Sequence, residues 1–216
     1  SFGWHSSFAM GFHLMNASEQ ARPLKTMFLL TTMPVGGAET LLVNLVRRMD
    51  RARFTPEIAC LKYLDELGEQ MSVEVNTTTG YLKHKYDWRV LPRLVSYLRR
   101  GQIDALVTVG AGDKMFWGRL AAWWAGTPVV ISALHSTGWP DGVGRLNRLL
   151  TPLTDAFVGV ADEHGRYLRE EEGFPDERLQ VIPNGVDTQR FRSDLAAGMD
   201  LRAELGIPPD APVCGI

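Results

Sequence analysis

The chain has 216 residues, of which 45% are hydrophobic, enough to bury one large core or two small ones in an ordinary globular protein. A formal net charge of −2 argues against a dedicated nucleic-acid binder, which would carry a basic face or stripe. The two cysteines, Cys60 and Cys214, lie in apolar runs and read as buried thiols in a reducing cytoplasm, not as a disulfide framework or metal cluster, and no run reaches the ~18 apolar residues that a membrane-spanning helix needs.

Residues 1–24 lack an initiator Met, a basic n-region and a sustained apolar core, so they make a poor secretory signal and are expected to be a disordered extension, with Met10, Met15 or Met27 as candidate starts. Apolar runs then alternate with helix-period segments, the pattern of a parallel sheet covered by helices. Strands are expected at Thr26 to Thr32, Pro56 to Leu61, Ser72 to Thr77, Ala105 to Val109, Val129 to Ala133, Ala156 to Val160 and Leu179 to Ile182. Between them, helical stripes run through Ala38, Leu41, Leu42, Leu45, Val46 and Met49, then Trp88, Leu91 and Leu98, then Phe116, Leu120 and Trp123-Trp124, then Leu146, Leu149 and Leu153. The tryptophans Trp88, Trp123 and Trp124 are expected in core and helix packing. Gly101, Gly126 and Gly173 each fall where a left-handed helix C-cap is wanted. With right-handed crossovers, the fold class is α/β, a doubly wound and mostly parallel Rossmann-like sheet.

In such sheets ligands bind beyond the carboxyl ends of the strands. Four loops qualify: Pro34 to Thr40, Tyr81 to Asp87, Gly110 to Lys114 and His135 to Val143. The first follows the opening strand with Gly36-Gly37-Ala38-Glu39 and leads straight into an amphipathic helix. Glycine can reverse the chain there and lets another molecule reach bare backbone. The first N–H groups of the helix lack internal partners and carry the positive dipole end, which suits a phosphate. For the glycine pair alone a plain strand-to-helix turn is the preferred reading, because neither G-x-G-x-x-G nor G-K-[ST] is present. Gly110-Ala111-Gly112 has Met115 where a dehydrogenase would need its third glycine. Asp113 reads first as an N-cap. Lys83-His84-Lys85, with Arg89, Arg93, Arg99 and Arg100, is open to anionic lipid or an anionic acceptor, with a solvated surface as the simpler reading.

The tail carries Val181-Ile182-Pro183-Asn184-Gly185-Val186-Asp187, a short helix around Leu201 and Leu205, a Pro-rich linker and the apolar run Val213-Cys214-Gly215-Ile216. Asn184-Gly185 is a turn signal, and the last run is expected to be the first strand of a further domain.

Three of these features together resemble family-4 glycosyltransferases of the GT-B fold: the Gly-Gly-Ala-Glu turn, the strand ending in Ala133-Leu134-His135-Ser136, and the Pro183-Asn184-Gly185-Val186-Asp187 string followed by Phe191. The resemblance implies that residues 25–193 form the acceptor-side Rossmann-like domain, and that 194–216 hold a linker helix and the first strand of a donor-binding domain not included here. It implies transfer of a sugar, with retention, from a nucleotide diphosphate sugar to a glycan, lipid or other acceptor in cell-envelope or polysaccharide biosynthesis. By it, Gly36 and Gly37 approach the donor diphosphate and His135 faces the transferred sugar. Glu39, Thr40, Lys83, Asp113 and Lys114 are candidate acceptor contacts, while Asn184 and Gly185 shape the cleft lip.

The family's Glu-x7-Glu donor motif would lie in the absent half; the formal match Glu163/Glu171 sits on a first-domain helix and reads as a solvated face. The sequence has no Asp-x-Asp, and the resemblance implies neither metal nor cofactor. The expected place is the cytoplasm, with peripheral contact at the inner membrane face kept open. Two alternatives stand: a non-catalytic glycan- or protein-binding module, and another GT-B enzyme such as a sugar-nucleotide epimerase. A helix N-terminus contributes about 0.3 to 1 kcal/mol, up to ~2 when partly buried, while micromolar binding needs about 8 kcal/mol. These 216 residues alone are therefore expected to show no transferase turnover and no tight binding of UDP- or GDP-sugars, measurable by product assay and calorimetry.

Overall fold

The structure, a computed structural model, describes residues 22–84, 87–135, 148–170, 173–192 and 195–214. Contacts divide the chain into two compact units, Ser1–Ile182 and Pro183–Ile216.

The first unit is a seven-stranded sheet in the order β3-β2-β1-β4-β5-β6-β7, with every pairing parallel. The strands are β1 (Leu24–Leu30), β2 (Phe54–Cys60), β3 (Asn76–Thr78), β4 (Ala105–Val109), β5 (Val129–Ala133), β6 (Ala156–Gly159) and β7 (Leu179–Val181). The helices are α1 (Gly37–Arg48), α2 (Asp65–Met71), α3 (Val90–Gly101), α4 (Asp113–Ala125) and α5 (Asp162–Glu170). β1 is buried on both faces, which is why Met27 to Leu30 reads as one unbroken apolar run. Phe28 and Leu30 share a cluster with Ile58 and with Leu42, Val43 and Val46 of α1. Met27 and Leu29 share the other cluster with Leu94 and Leu98 of α3 and Ala121 and Ala122 of α4. The fold is therefore α/β, doubly wound and Rossmann-like.

Several boundaries differ from expectation. Ser72 to Val75 do not belong to a strand, and β3 is only Asn76–Thr78. The chain instead forms α2, which starts at Asp65 with φ 62° and buries only Gly68 and Met71, too few apolar positions to show a period. Gly126 and Gly173 are left-handed as expected, but α3 runs on through Gly101 and is capped by Gln102 at φ 51°. Leu45 is half exposed, and Trp88, Trp123 and Trp124 stand in solvent instead of core. The inward stripe of α4 is Met115, Gly118, Arg119, Ala121 and Ala122. Mostly small, these residues bring the helix close to the sheet and leave the outer side to the indoles. Cys60 is buried, and desolvation pushes its thiol up to about 12. Cys214 is exposed, in a stretch that carries no strand among its described residues. A strand needs a sheet edge to pair with, and the described residues of the second unit include none.

Residues 1–21, Lys85, Ser136 to Asn147, Glu171 and Gly215-Ile216 lie outside the described residues, so the expected N-terminal extension, most of the His135 to Val143 loop, the start of the Leu146 helix and the Glu163/Glu171 pair are not described. In the second unit, α6 spans Leu195–Glu204. Pro183 to Val186 show neither strand nor turn, and Gly185 is not left-handed. The turn comes two residues later, where Asp187 Oδ1 accepts the N–H groups of Gln189 and Arg190, each at 3.0 Å. An Asp side chain can replace the backbone turn that Asn-Gly would have made.

At Gly118, α4 approaches the sheet closely. A Cβ there would stand 2.7 Å from Thr108 Cγ2 and 2.8 Å from Leu29 Cδ2. Gly118→Ala is expected to destabilise the fold by about 1–3 kcal/mol through overpacking, read as a lowered denaturation midpoint; an unchanged midpoint would mean that α4 can lift off the sheet at little cost.

Candidate functional site

The crossovers leaving β1 and β3 cover opposite faces, so the carboxyl ends of β1 and β4 diverge into a crevice. The loop after β1 is pinned on one side, where Met33 donates its N–H to Leu64 O at 3.2 Å and accepts one from Leu67 at 3.1 Å. On the other side Thr31 Oγ1 donates to Asp113 Oδ1 at 2.6 Å, and the same oxygen accepts the Lys114 N–H at 2.8 Å. Asp113 is thus the first residue of α4, with Gly112 as the cap position. Instead of capping, its carboxylate ties α4 to the β1 loop across the crevice. His135 follows β5 directly, fixed by the Leu134 N–H to Val158 O bond at 2.8 Å.

Glycine is demanded at some positions of this rim and not at others. Gly110 and Gly112 both have φ +89°, a conformation L-residues rarely adopt, so that turn requires them. Gly36 has φ −148°, ordinary extended backbone. A Cβ on Gly36 would meet only the Oε2 end of the Glu39 side chain, and one on Gly37 would meet nothing within 4 Å. Among the described residues neither backbone angle nor packing asks for this pair. What they provide is bare backbone at the head of a twelve-residue helix, whose first backbone bond runs from the Thr40 N–H to Gly36 O at 2.9 Å. The N–H groups of Gly37, Ala38 and Glu39 precede that bond and point out of the helix.

The charged groups converge on His135. Burial holds its imidazole below the usual histidine value of 6.5; the Glu39 carboxylate pulls upward, and His164 and Lys114 push further down. The Lys114 side chain folds back over Gly110, where a Cβ would lie 2.9 Å from its Cε. Glu39, Lys114 and His164 thus each act on His135, whose lowered value leaves it mostly neutral at pH 7. His164 carries no signal in the sequence beyond Gly165. It is buried on α5, accepting the Val160 N–H at Nδ1 at 3.4 Å, because Gly165 lets that helix close on Val181 of β7.

The remaining candidates are less concentrated. Thr40 is exposed on α1. Lys83 lies beyond β3, its N–H directed at Asp87 Oδ2 at 3.3 Å, and is not among the groups acting on His135. Asn184 and Gly185 belong to the second unit. Among the described residues no group of His, Cys, Asp and Glu could hold a metal ion, and no helix is long and apolar enough to cross a membrane.

A glycine-headed helix after β1 and a doubly wound parallel sheet define a Rossmann-like half. The chain belongs to Glycosyltransferase Family 4, whose profile matches residues 35–190. It is 25% identical over 212 residues to EpsF of Bacillus subtilis (strain 168), which carries a provisional glycosyltransferase name; the match covers 93% of this chain and 54% of EpsF. In fold it is similar to Anabaena Alr3699/HepE solved in complex with UDP, at TM-score 0.67 and 17% identity, covering 85% of this chain and 50% of HepE. It is also similar to a glycosyltransferase from Rickettsia africae ESF-5, at TM-score 0.64 and 14% identity, covering 88% and 51%. The chain therefore spans about half the length of these relatives.

The signs around His135 are open to titration. Its NMR midpoint is expected below 6.5, lower still in Glu39→Gln and higher in Lys114→Met. Because the folded value is depressed, the unfolded chain takes up the proton first. Stability is then flat above pH 6.5 and falls as pH drops from 6.5 through the folded value. His135→Gln should remove that part of the slope, and a midpoint at or above 6.5 would contradict the electrostatics described.

Proposed function

We propose that the protein containing this chain transfers a glycosyl group, with retention, from a nucleotide diphosphate sugar to a glycan, lipid or other acceptor in cell-envelope or polysaccharide biosynthesis. Membership of the family supports this reading, and the UDP bound to HepE is consistent with it. The observation that carries it is the Gly36-Gly37 pair, two glycines that the geometry of the described residues leaves unexplained, at a helix end suited to an anion.

In this reading the N–H groups of Gly37 and Ala38, with the Lys114 ammonium, stabilise the leaving diphosphate. The neutral His135 imidazole contacts the transferred sugar, where it can accept or donate a hydrogen bond without adding fixed charge. Glu39 and Thr40, on the first turns of α1, are proposed as acceptor contacts together with Lys83, Asp113 and Lys114. A donor-binding domain beyond residue 216 is proposed to supply most of the donor affinity, with Asn184 and Gly185 shaping the lip of the cleft. No metal or cofactor is proposed. The proposed place is the cytoplasm, at the inner membrane face when the acceptor is lipid-linked.

In the full-length protein, Gly37→Ala should leave stability unchanged or slightly raised, since alanine favours a helix over glycine by up to about 1 kcal/mol. The same change should raise KM for the sugar nucleotide at least about tenfold, because one obstructed hydrogen bond to a charged group is worth roughly 1.5–3 kcal/mol. His135→Ala should lower kcat with a smaller effect on KM. Nucleotide release from UDP- and GDP-sugars, with and without acceptor, measures both. Turnover that neither variant changes would overturn the assignment.

A further inference from the structure

We infer that the acceptor is an acidic glycan, whose anionic groups lie along a groove between α3 and the outer edge of the sheet. The inference rests on the proposed transfer reaction and deepens it, because it names the chemical class of the acceptor and a binding surface outside the crevice.

β3 is the edge strand, two strands away from β1, or about 10 Å across the sheet. A groove of about 630 Å³ opens between its carboxyl end and α3, and Arg89, Arg93, Arg100, Ser96, Thr79 and Tyr97 are among the residues that line it. Arg89, Arg93, Ser96 and Arg100 follow one another at intervals of four, three and four, so they share one side of α3. Lys83, already proposed as an acceptor contact, is exposed two residues beyond Tyr81 of the same groove.

Two acidic groups come near this groove, and both are already met from within. Asp87 is buried; it pairs with Arg93 Nη1 at 2.9 Å and accepts the N–H groups of Lys83 and Arg89 at 3.3 and 3.2 Å. Glu57 is buried too, and its Oε2 accepts from the Tyr97 hydroxyl at 2.7 Å and from Asn76 Nδ2 at 3.0 Å. No acidic residue is among those lining the groove, and α3 contains none. The charge of Arg93 is therefore balanced from behind, while Arg89 and Arg100 are exposed and pair with no carboxylate among the described residues.

The spacing of those two cations selects the ligand. They stand eleven residues apart, about 16 Å along the helix axis, which suits anionic groups spread along a chain better than one phosphate. A guanidinium receives a carboxylate through two parallel hydrogen bonds. Between the cations, the exposed Ser96 hydroxyl and the half-buried Tyr97 ring offer the mixed polar and aromatic lining that sugar rings need. None of the large apolar side chains that stand in solvent lines the groove, so it gives a bilayer nothing to insert. β3 offers an added peptide strand an edge of only three residues.

The experiment is calorimetry on the full-length protein with hexagalacturonate and with its methyl ester, which keeps the sugar chain and removes the charge. Binding is expected for the acid and not for the ester, and it should weaken as salt is raised. Arg89→Gln/Arg100→Gln should lower the affinity about five- to twenty-five-fold, the range for two exposed ion pairs. No sugar nucleotide is present, so the groove is read by itself and a failed transferase assay cannot pass for a failed groove. The inference is overturned if hexagalacturonate does not bind, if the ester binds equally well, or if the arginine variant keeps full affinity. Binding to hexaglutamate or to phosphatidylglycerol vesicles in place of the oligosaccharide would overturn it as well.

Discussion

β1 lies inside the sheet, paired along its whole length with β2 on one edge and through Thr26 to Leu29 with β4 on the other. Its crossover, α1, packs on the sheet face opposite the one that α3 and α4 cover. That divergence leaves backbone exposed at the carboxyl ends of β1 and β4, and Glu39, Asp113 and Lys114 stand on the helix starts that border it. Asp113 makes the geometry rigid, because one carboxylate oxygen bonds both Thr31 beyond β1 and the first turn of α4. Two loops from different strands therefore keep one spacing, and a ligand seated between them meets a preformed rim.

The two helices that open on this rim differ in how their ends are satisfied. α4 begins with an acidic side chain that accepts its own neighbour's N–H, so its dipole end is already met from within. α1 begins with a glycine cap that makes no side-chain bond, followed by another glycine with open space around it. Glu39 reaches back toward Gly36 with a flexible side chain, which an arriving anion can displace more easily than a backbone contact. In the proposed reading this asymmetry favours α1 as the anion-receiving end, with α4 as the support that carries Lys114.

Most of the sheet was legible because buried parallel strands need unbroken apolar runs: Ala105–Val109 and Val129–Ala133 have the expected bounds, and β1 and β2 are offset by one or two residues. α2 was not legible, since a seven-residue helix with two buried positions leaves no period to find. The tryptophans were misread because size was taken for depth; small residues on the inner side of α4 make the interior contact and push the bulky ones outward. At the site, Gly36, Gly37 and His135 stood out by their place after strands. His164 did not, because a histidine in a polar helix shows its burial only once Gly165 has brought that helix against the sheet.

Charge balance decides how far this half could act alone. Around His135 the Glu39 carboxylate and the Lys114 ammonium oppose each other, and the imidazole is held neutral. A diphosphate would bring at least two negative charges, against roughly half a positive charge at the end of α1. Lys114 offsets one more, but Glu39 cancels much of that unless it swings away. With Glu39 swung away roughly half a negative charge stays unmet, and with Glu39 in place about one and a half. In the proposed reading that remainder is met by cations of a longer protein, and the relatives are about twice the length of this chain.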